Sequence, residues 1–162
     1  MIVVSNASPI IFLWKIKKLD SLFRLYKTVY IPKKVFEDLS KQEDDYFKSY
    51  LPYFKIEKIE GKLLSFQLHK GESEAINLAI RKKADLILLD DKKARIVAKS
   101  MGIRIKGTLG LLLTFLDKKF IAYNEFKILL DNLINANFRI DITLYKEALK
   151  EAEEIAHKRK LK

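Results

Sequence analysis

Apolar and polar positions along the chain follow two periods, one typical of strands and one typical of helices. Short aliphatic runs predict strands, and apolar residues spaced three and four positions apart predict helices. The predicted strands are 2–4, 28–31, 54–59, 86–89 and 103–105. The predicted helices are 10–17, 19–25, 33–40, 71–83, 93–101, 111–116, 124–135 and 143–157; a turn is predicted at 107–110, and 41–54 fits neither pattern.

The run 86–89 is apolar throughout and lies between polar residues. Such a run is typical of a central parallel strand that is buried on both faces. The segment 54–59 alternates apolar and charged residues, which indicates an exposed or edge strand. Strands that alternate with helices predict an α/β fold, with helices on both sides of a parallel sheet. In such sheets, functional sites form at the carboxyl ends of the strands.

The length of 162 residues fits one domain, 1–162, and no repeat or linker divides it. The chain has no cysteine and only two histidines, which excludes cysteine zinc sites and argues against a histidine-rich zinc or haem site. The start lacks the pattern of a signal peptide, and no run reaches 18 apolar residues. The expected location is therefore the cytoplasm, with no membrane contact.

The balance of 32 Lys and Arg against 21 Asp and Glu gives a formal net charge of +11. A basic surface favours polyanions, nucleic acid first, although a lysine-rich, heat-adapted surface has a similar composition. The aromatic and basic segment 46–55 suits either RNA stacking or a subunit interface. The basic C-terminal segment, about 157–162, suits either a nucleic-acid arm or a solvated chain end.

Acidic and amide side chains follow the predicted strands, open a neighbouring helix or, for Glu37 and Asp38, lie near the end of the helix after the second strand. They are Asn6, Glu37, Asp38, Glu72, Glu74, Asp90 and Asp91. Several carboxylates at one sheet edge repel each other unless a cation neutralises them. Oxygen ligands select Mg²⁺ or Mn²⁺, and such an ion can activate water for attack on a phosphodiester.

Each of these residues also has a simpler interpretation, since the same residue types cap helices and complement helix dipoles. Ser8 and Thr108 either contact the water shell of the metal or a phosphate, or they cap a helix and form a turn. Lys92 and Arg95 either bind a phosphate or are solvated. The acidic pattern carries weight only as a set on an α/β frame.

Four segments in order resemble motifs of the PIN-domain family of nucleases, and the closest likeness is to a prokaryotic subgroup related to VapC toxins and common in archaea. The segments are Val3–Ile11, Gly71–Ala79, Leu88–Arg95 and Gly102–Gly110. The likeness runs from residue 2 to about 150. Each motif is weak alone, and the four together at familiar spacing are specific.

The resemblance implies a three-layer α/β/α sandwich with a central parallel sheet, and a metal-dependent endoribonuclease site of three or four acids. Carried over by position, the first acid falls on Asn6 and the second on Asp38, with Glu37 a weaker choice. The third falls on Glu72 or Glu74 and the fourth on Asp90 or Asp91. The family usually has Asp where this chain has Asn6, and an amide ligand brings no charge.

The resemblance also implies a toxin that cuts RNA with Mg²⁺ or Mn²⁺, forms a homodimer and pairs with a small antitoxin protein. The alternative is a catalytically impaired module that binds RNA, in which Asn6 marks the lost chemistry. A third possibility, a phospho-acceptor role for Asp90 in a receiver-like domain, leaves Gly71–Ala79 and Gly102–Gly110 without a role.

Overall fold

The structure is a computed structural model that describes residues 1–160. Its five strands form one parallel sheet: β1 (Val3–Ser5), β2 (Val29–Pro32), β3 (Phe54–Glu57), β4 (Leu86–Leu88) and β5 (Ile105–Lys106). The helices described are α1 (Ala7–Lys15), α2 (Leu19–Leu25), α3 (Lys33–Ser40), α4 (Asp45–Tyr50), α5 (Lys70–Lys82), α6 (Lys92–Ser100), α7 (Thr108–Asp117), α8 (Tyr123–Asn135) and α9 (Ile142–Lys160). A short 3₁₀ turn, Leu51–Tyr53, precedes β3.

The strand order is β3-β2-β1-β4-β5, so the chain builds outwards from β1 in one direction and then in the other. The topological switch point therefore lies between β1 and β4, where Ser5 pairs with Leu88. Open α/β sheets form their clefts at this point, beyond the carboxyl ends of the strands. β3 lies at the edge of the sheet, as its alternating pattern predicted.

The sheet has a separate apolar core on each face, because successive side chains of a strand point to opposite sides. Leu86 and Leu88 of β4 pack with helices that include α1, α7 and α8, whereas Ile87 and Leu89 pack with α5 and α6. All four side chains are at most 3% exposed. The prediction of a central strand buried on both faces is confirmed, as is the three-layer fold.

Several predicted boundaries are wrong, each for a local reason. The predicted turn at 107–110 is the N-cap Gly107 and the first residues of α7. The predicted strand 103–105 is β5, which begins two residues later and ends one residue later than predicted. Ile103 is not in the strand because its N–H donates to the carbonyl of Ala98 and closes α6. α1 begins at Ala7 and not at Ile10, because a first turn tolerates Pro9.

The segment 41–54, which had no predicted structure, contains α4, and the Asp44 side chain caps it by accepting a hydrogen bond from the Phe47 N–H. The C-terminal basic segment continues α9 as far as Lys160, and its last two residues, 161–162, lie outside the described residues. Within residues 1–160, no helix combines the length and apolarity needed to cross a bilayer.

Candidate functional site

Asp90 follows β4 at the switch point, and three hydrogen bonds fix its carboxylate. Its Oδ1 accepts from the Thr108 N–H at 2.7 Å. Its Oδ2 accepts from the Thr108 hydroxyl at 2.6 Å and from the Ser8 hydroxyl at 3.0 Å. Hydrogen bonds to an ionised carboxylate are stronger than those between neutral groups. Both oxygens therefore have defined positions in the cleft.

The donors to Asp90 lie at the N-termini of two helices, since Ser8 is in the first turn of α1 and Thr108 is the first residue of α7. The positive ends of the two helix dipoles favour a carboxylate at this place. The N-cap positions belong to Asn6 and Gly107, so Ser8 does not cap α1, and Thr108 begins α7 rather than forming a turn. Both side chains position Asp90 instead.

Gly107 leaves the space that Asp90 occupies. A Cβ atom on Gly107 would lie 2.9 Å from Asp90 Oδ1, 3.3 Å from the Leu89 carbonyl oxygen and 2.5 Å from a guanidinium nitrogen of Arg95. The Arg95 side chain can move, but the Thr108 N–H holds Asp90 Oδ1 and the Leu89 oxygen belongs to the backbone. Any residue other than glycine at position 107 would clash with Asp90 and the Leu89 carbonyl, although the backbone angles there suit other residues.

Gly107→Ala is expected to destabilise the fold by about 1–3 kcal/mol, the usual cost of overpacking. The measurement is urea unfolding followed by circular dichroism. Gly102→Ala is not a suitable control, because Gly102 has a φ of +77°. Gly71→Ala is suitable, because its Cβ would meet every neighbour at 3.5 Å or more. Equal stability of Gly107→Ala and the wild type would contradict the contact.

Asp91 makes no hydrogen bond to this network within residues 1–160. It is exposed, and its side chain caps α6 by accepting a hydrogen bond from the Ala94 N–H at 2.8 Å. This is the simpler of the two interpretations given above. The two adjacent acids therefore differ: Asp90 lies in the cleft at the switch point, and Asp91 caps α6.

Glu72 lies in the first turn of α5 and is half-buried. Burial raises the pKa of its carboxyl, and repulsion from Asp91 raises this pKa further, while His69 lowers it. The first turn of α5 and the segment after β4 therefore lie close enough for the carboxylates of Glu72 and Asp91 to repel each other. A bound cation would relieve this repulsion.

Asn6 and Asp38 meet beside Gly71. A Cβ atom on Gly71 would lie 3.5 Å from Asn6 Oδ1 and 3.8 Å from Asp38 Oδ2, so both oxygens border the same small space. Asn6 is only 7% exposed, and its side chain neither caps α1 nor makes another hydrogen bond within residues 1–160. Its amide atoms are not sealed from solvent, so the amide oxygen is free to accept from water or to bind a cation.

The other oxygen of Asp38 is neutralised by lysines. Lys34 contacts Asp38 Oδ1 at 3.0 Å and Lys41 contacts it at 3.8 Å. The hydrogen bond to Asp38 raises the pKa of Lys34, and the charges of Glu37 and Glu74 add to this effect. Glu74 and Glu37 therefore lie in the field of Lys34, while Asp38 Oδ2 forms none of the ion pairs described within residues 1–160.

The fit of a divalent ion rests on this donor set. Within the described part of the chain, no three His, Cys, Asp or Glu side chains are grouped closely enough to hold a metal alone. A divalent ion would have to draw on oxygens that lie at separate places: the oxygens of Asn6 and Asp38 beside Gly71, and the carboxylates of Glu72 and Asp90. These donors are all oxygens, which fits Mg²⁺ or Mn²⁺ better than zinc.

Sequence reasoning did not predict a groove that lies beside Asp90. Its lining includes Lys99, Lys106 and Arg139, none of which was a predicted site residue. Arg95 and Lys92, which were predicted to contact substrate, also line it. The missed residues come from α6, β5 and the segment before α9, and nothing in their local sequence marks them as neighbours.

Comparison with known proteins identifies the architecture. A family model described as a PIN domain matches residues 2–154. The chain is similar to the solved structure of a PilT N-terminus domain protein from the hyperthermophilic archaeon Sulfolobus solfataricus P2, with a TM-score of 0.51 and 20% identity over 70% of this chain and 92% of that one. At this identity the likeness shows the fold alone. No curated protein is significantly similar to the chain.

Proposed function

Because the chain belongs to the PIN-domain family, whose members are in general nucleases that use divalent metal ions, we propose that it is a metal-dependent endoribonuclease. The observation that carries the proposal is the fixed carboxylate of Asp90 at the switch point of the sheet. The Asn6 amide, which makes no hydrogen bond within residues 1–160, follows the neighbouring strand β1 and lies beside Asp38. The proposal assigns Asn6, Asp38, Glu72 and Asp90 to one site.

The residues of the chain have separate tasks in this proposal. Asn6, Asp38, Glu72 and Asp90 hold the metal, and Ser8 and Thr108 orient Asp90. When bound, the divalent ion supplies a water activated for attack and neutralises charge on the phosphodiester. Lys92 and Arg95 bind phosphates that flank the bond. Asp91 and Glu74 add negative charge near the site, and they are the weaker candidates for ligands.

Metal binding tests the ligand set without measuring cleavage. Mn²⁺ at 100 times its dissociation constant is expected to stabilise the fold by about 2.7 kcal/mol, a rise in Tm of roughly 5–10 °C. Asp38→Asn combined with Glu72→Gln is expected to remove most of this rise. Glu147→Gln combined with Glu151→Gln, in the exposed part of α9, is the matched control. An equal rise in Tm for both pairs would contradict the assignment.

The direct test of the activity is a labelled single-stranded RNA incubated with the protein in Mg²⁺, in Mn²⁺ and in EDTA. Cleavage in either metal and none in EDTA supports the proposal. A second candidate function, RNA binding without cleavage, is favoured by one observation, the uncharged Asn6 in the place of an acid. Salt-sensitive RNA binding with no cleavage in either metal would select it.

The proposal includes the role of toxin in a toxin–antitoxin pair, acting as a homodimer with a small antitoxin as partner. Support for this role comes from the sequence resemblance to VapC-related proteins. Growth arrest on expression, relieved by co-expression of a small protein encoded beside it, is the deciding measurement. Normal growth of cells that make the active nuclease would refute the toxin role.

A further inference from the structure

A groove of about 1070 Å³ begins at Asp90 and lies between α6, the start of α7 and the segment that leads into α9. Five of its lining side chains are basic: Lys92, Arg95, Lys99, Lys106 and Arg139. Asp141 is the acid at its lining besides Asp90. The groove therefore carries a net positive charge next to the proposed catalytic end.

These basic groups lack acidic partners. None of the four ion pairs within residues 1–160 involves a basic residue of the groove; those pairs engage Lys18, Lys34, Lys41 and Lys82. Burial lowers the pKa of Lys106, and the nearby cations Arg104 and Lys118 lower it further. Lys106 donates a hydrogen bond to the Thr114 hydroxyl at 2.9 Å, which leaves its charge in place. Five cations that form no ion pair within residues 1–160 favour an anion in the groove that they line.

The rest of the lining suits contact with a backbone more than recognition of bases. Exposed aliphatic side chains line it, with Ile96 61% and Leu144 40% exposed. Its one aromatic residue among those described, Phe138, is half-buried and packs edge-on against Phe12. Bases are bound without pairing mainly by stacking on exposed aromatic faces, and amide side chains, which read base edges, are absent from this lining within residues 1–160.

We propose that this groove holds the sugar–phosphate backbone of single-stranded RNA on one side of the bond to be cut, and that it does so without reading base sequence. The inference rests on the proposed function, because that function places an RNA phosphate at Asp90. It adds the path of the strand beyond the site. It also distinguishes this surface from the aromatic segment 46–55, which lies by β3 at the opposite edge of the sheet.

The test is fluorescence anisotropy of labelled oligouridine and oligoadenine RNA in EDTA, where no metal-dependent cleavage occurs, over a range of salt concentrations. The test variant is Lys92→Gln combined with Lys99→Gln, and the matched control is Lys58→Gln combined with Lys62→Gln. All four lysines are exposed, and the control pair follows β3 at the far edge of the sheet. Circular dichroism confirms that both variants fold.

The groove variant is expected to bind both RNAs roughly tenfold more weakly at physiological salt, because each lost phosphate contact lowers the salt slope by about 0.7. The slope of log K against log salt should become shallower by about 1.4. The control should bind as the wild type does. Equal weakening of both variants, or none in the groove variant, would overturn the proposal, as would a loss specific to one base.

Failure of this inference is separable from failure of the proposed function. Metal-dependent cleavage with unchanged RNA binding by the groove variant would refute the groove alone. RNA bound through the groove but never cut would refute the nuclease and leave the groove in place. Loss of binding to polyglutamate with unchanged RNA binding would assign the groove to an acidic protein, contrary to the proposal.

Discussion

Asp90→Asn is expected to lower RNA cleavage by more than about a hundredfold while the fold is retained. Even a residue that only supports a metal ligand is typically worth about 10–100-fold, and the amide at position 90 would lack the negative charge of a ligand. The amide oxygen can still accept from the Thr108 N–H, and the amide nitrogen can donate to the hydroxyl of Ser8 or Thr108. The substitution therefore changes the charge and keeps the contacts.

The neighbouring acid provides the matched control. Asp91 caps α6, and Asn caps a helix about as well as Asp. Asp91→Asn is therefore expected to retain cleavage within a few fold of the wild type. The measurement is the single-turnover rate on one labelled RNA for both variants, purified in the same way. Equal losses at the two positions would remove the distinction between them, and cleavage at the wild-type rate by Asp90→Asn would refute the site.

The sequence predicted the position of this site better than its contacts. Asn6 and Asp90 were identified because the apolar strands before them end abruptly, and parallel strands end at the same sheet edge. The partners of Asp90 were not predictable, since Ser8 is 82 positions away and Thr108 is 18 positions away. Which hydroxyl reaches a carboxylate depends on how the helices pack, and local pattern carries no information about that.

The misplaced start of α7 has a similar cause. Two glycines within four residues favour a turn, and the segment 107–110 was therefore predicted as one. Gly110 is helical, and a Cβ on it would lie 3.0 Å from the Cγ of Lys106. Gly107 is required by its contact with Asp90. Both glycines are thus explained by close packing around the site, which a single sequence does not reveal.

The uncharged residue at position 6 is expected to weaken metal binding, because an amide ligand brings no charge. Asn6 Oδ1 borders the same space as Asp38 Oδ2, and it has no partner within residues 1–160. Asn6→Asp would place two carboxylates in that space. Without metal, their repulsion and the burial of a charge are expected to destabilise the fold by about 1–3 kcal/mol.

With metal, the sign of this effect is expected to reverse. A second formal charge strengthens the attraction for a divalent ion, so Asn6→Asp should bind Mn²⁺ at least about tenfold more tightly, which corresponds to about 1.4 kcal/mol. Calorimetric titration with Mn²⁺ measures the affinity, and thermal unfolding with and without Mn²⁺ measures the reversal. If a weakly held metal limits the wild type, cleavage should also rise in the variant.

Asn77 offers a matched buried asparagine for this experiment. It is 3% exposed, and its amide is fully engaged with the backbone of Leu64 and Ser73. Asn77→Asp loses two donated hydrogen bonds and is expected to destabilise the fold equally with and without Mn²⁺. Destabilisation of Asn6→Asp that Mn²⁺ does not relieve would show that the Asn6 oxygen is not a metal ligand. If Mn²⁺ restores the stability of Asn6→Asp but not that of Asn77→Asp, the ion lies between Asn6 and Asp38. If Asn6→Asp also cleaves RNA faster, the amide of the wild type weakens metal binding and does not abolish it.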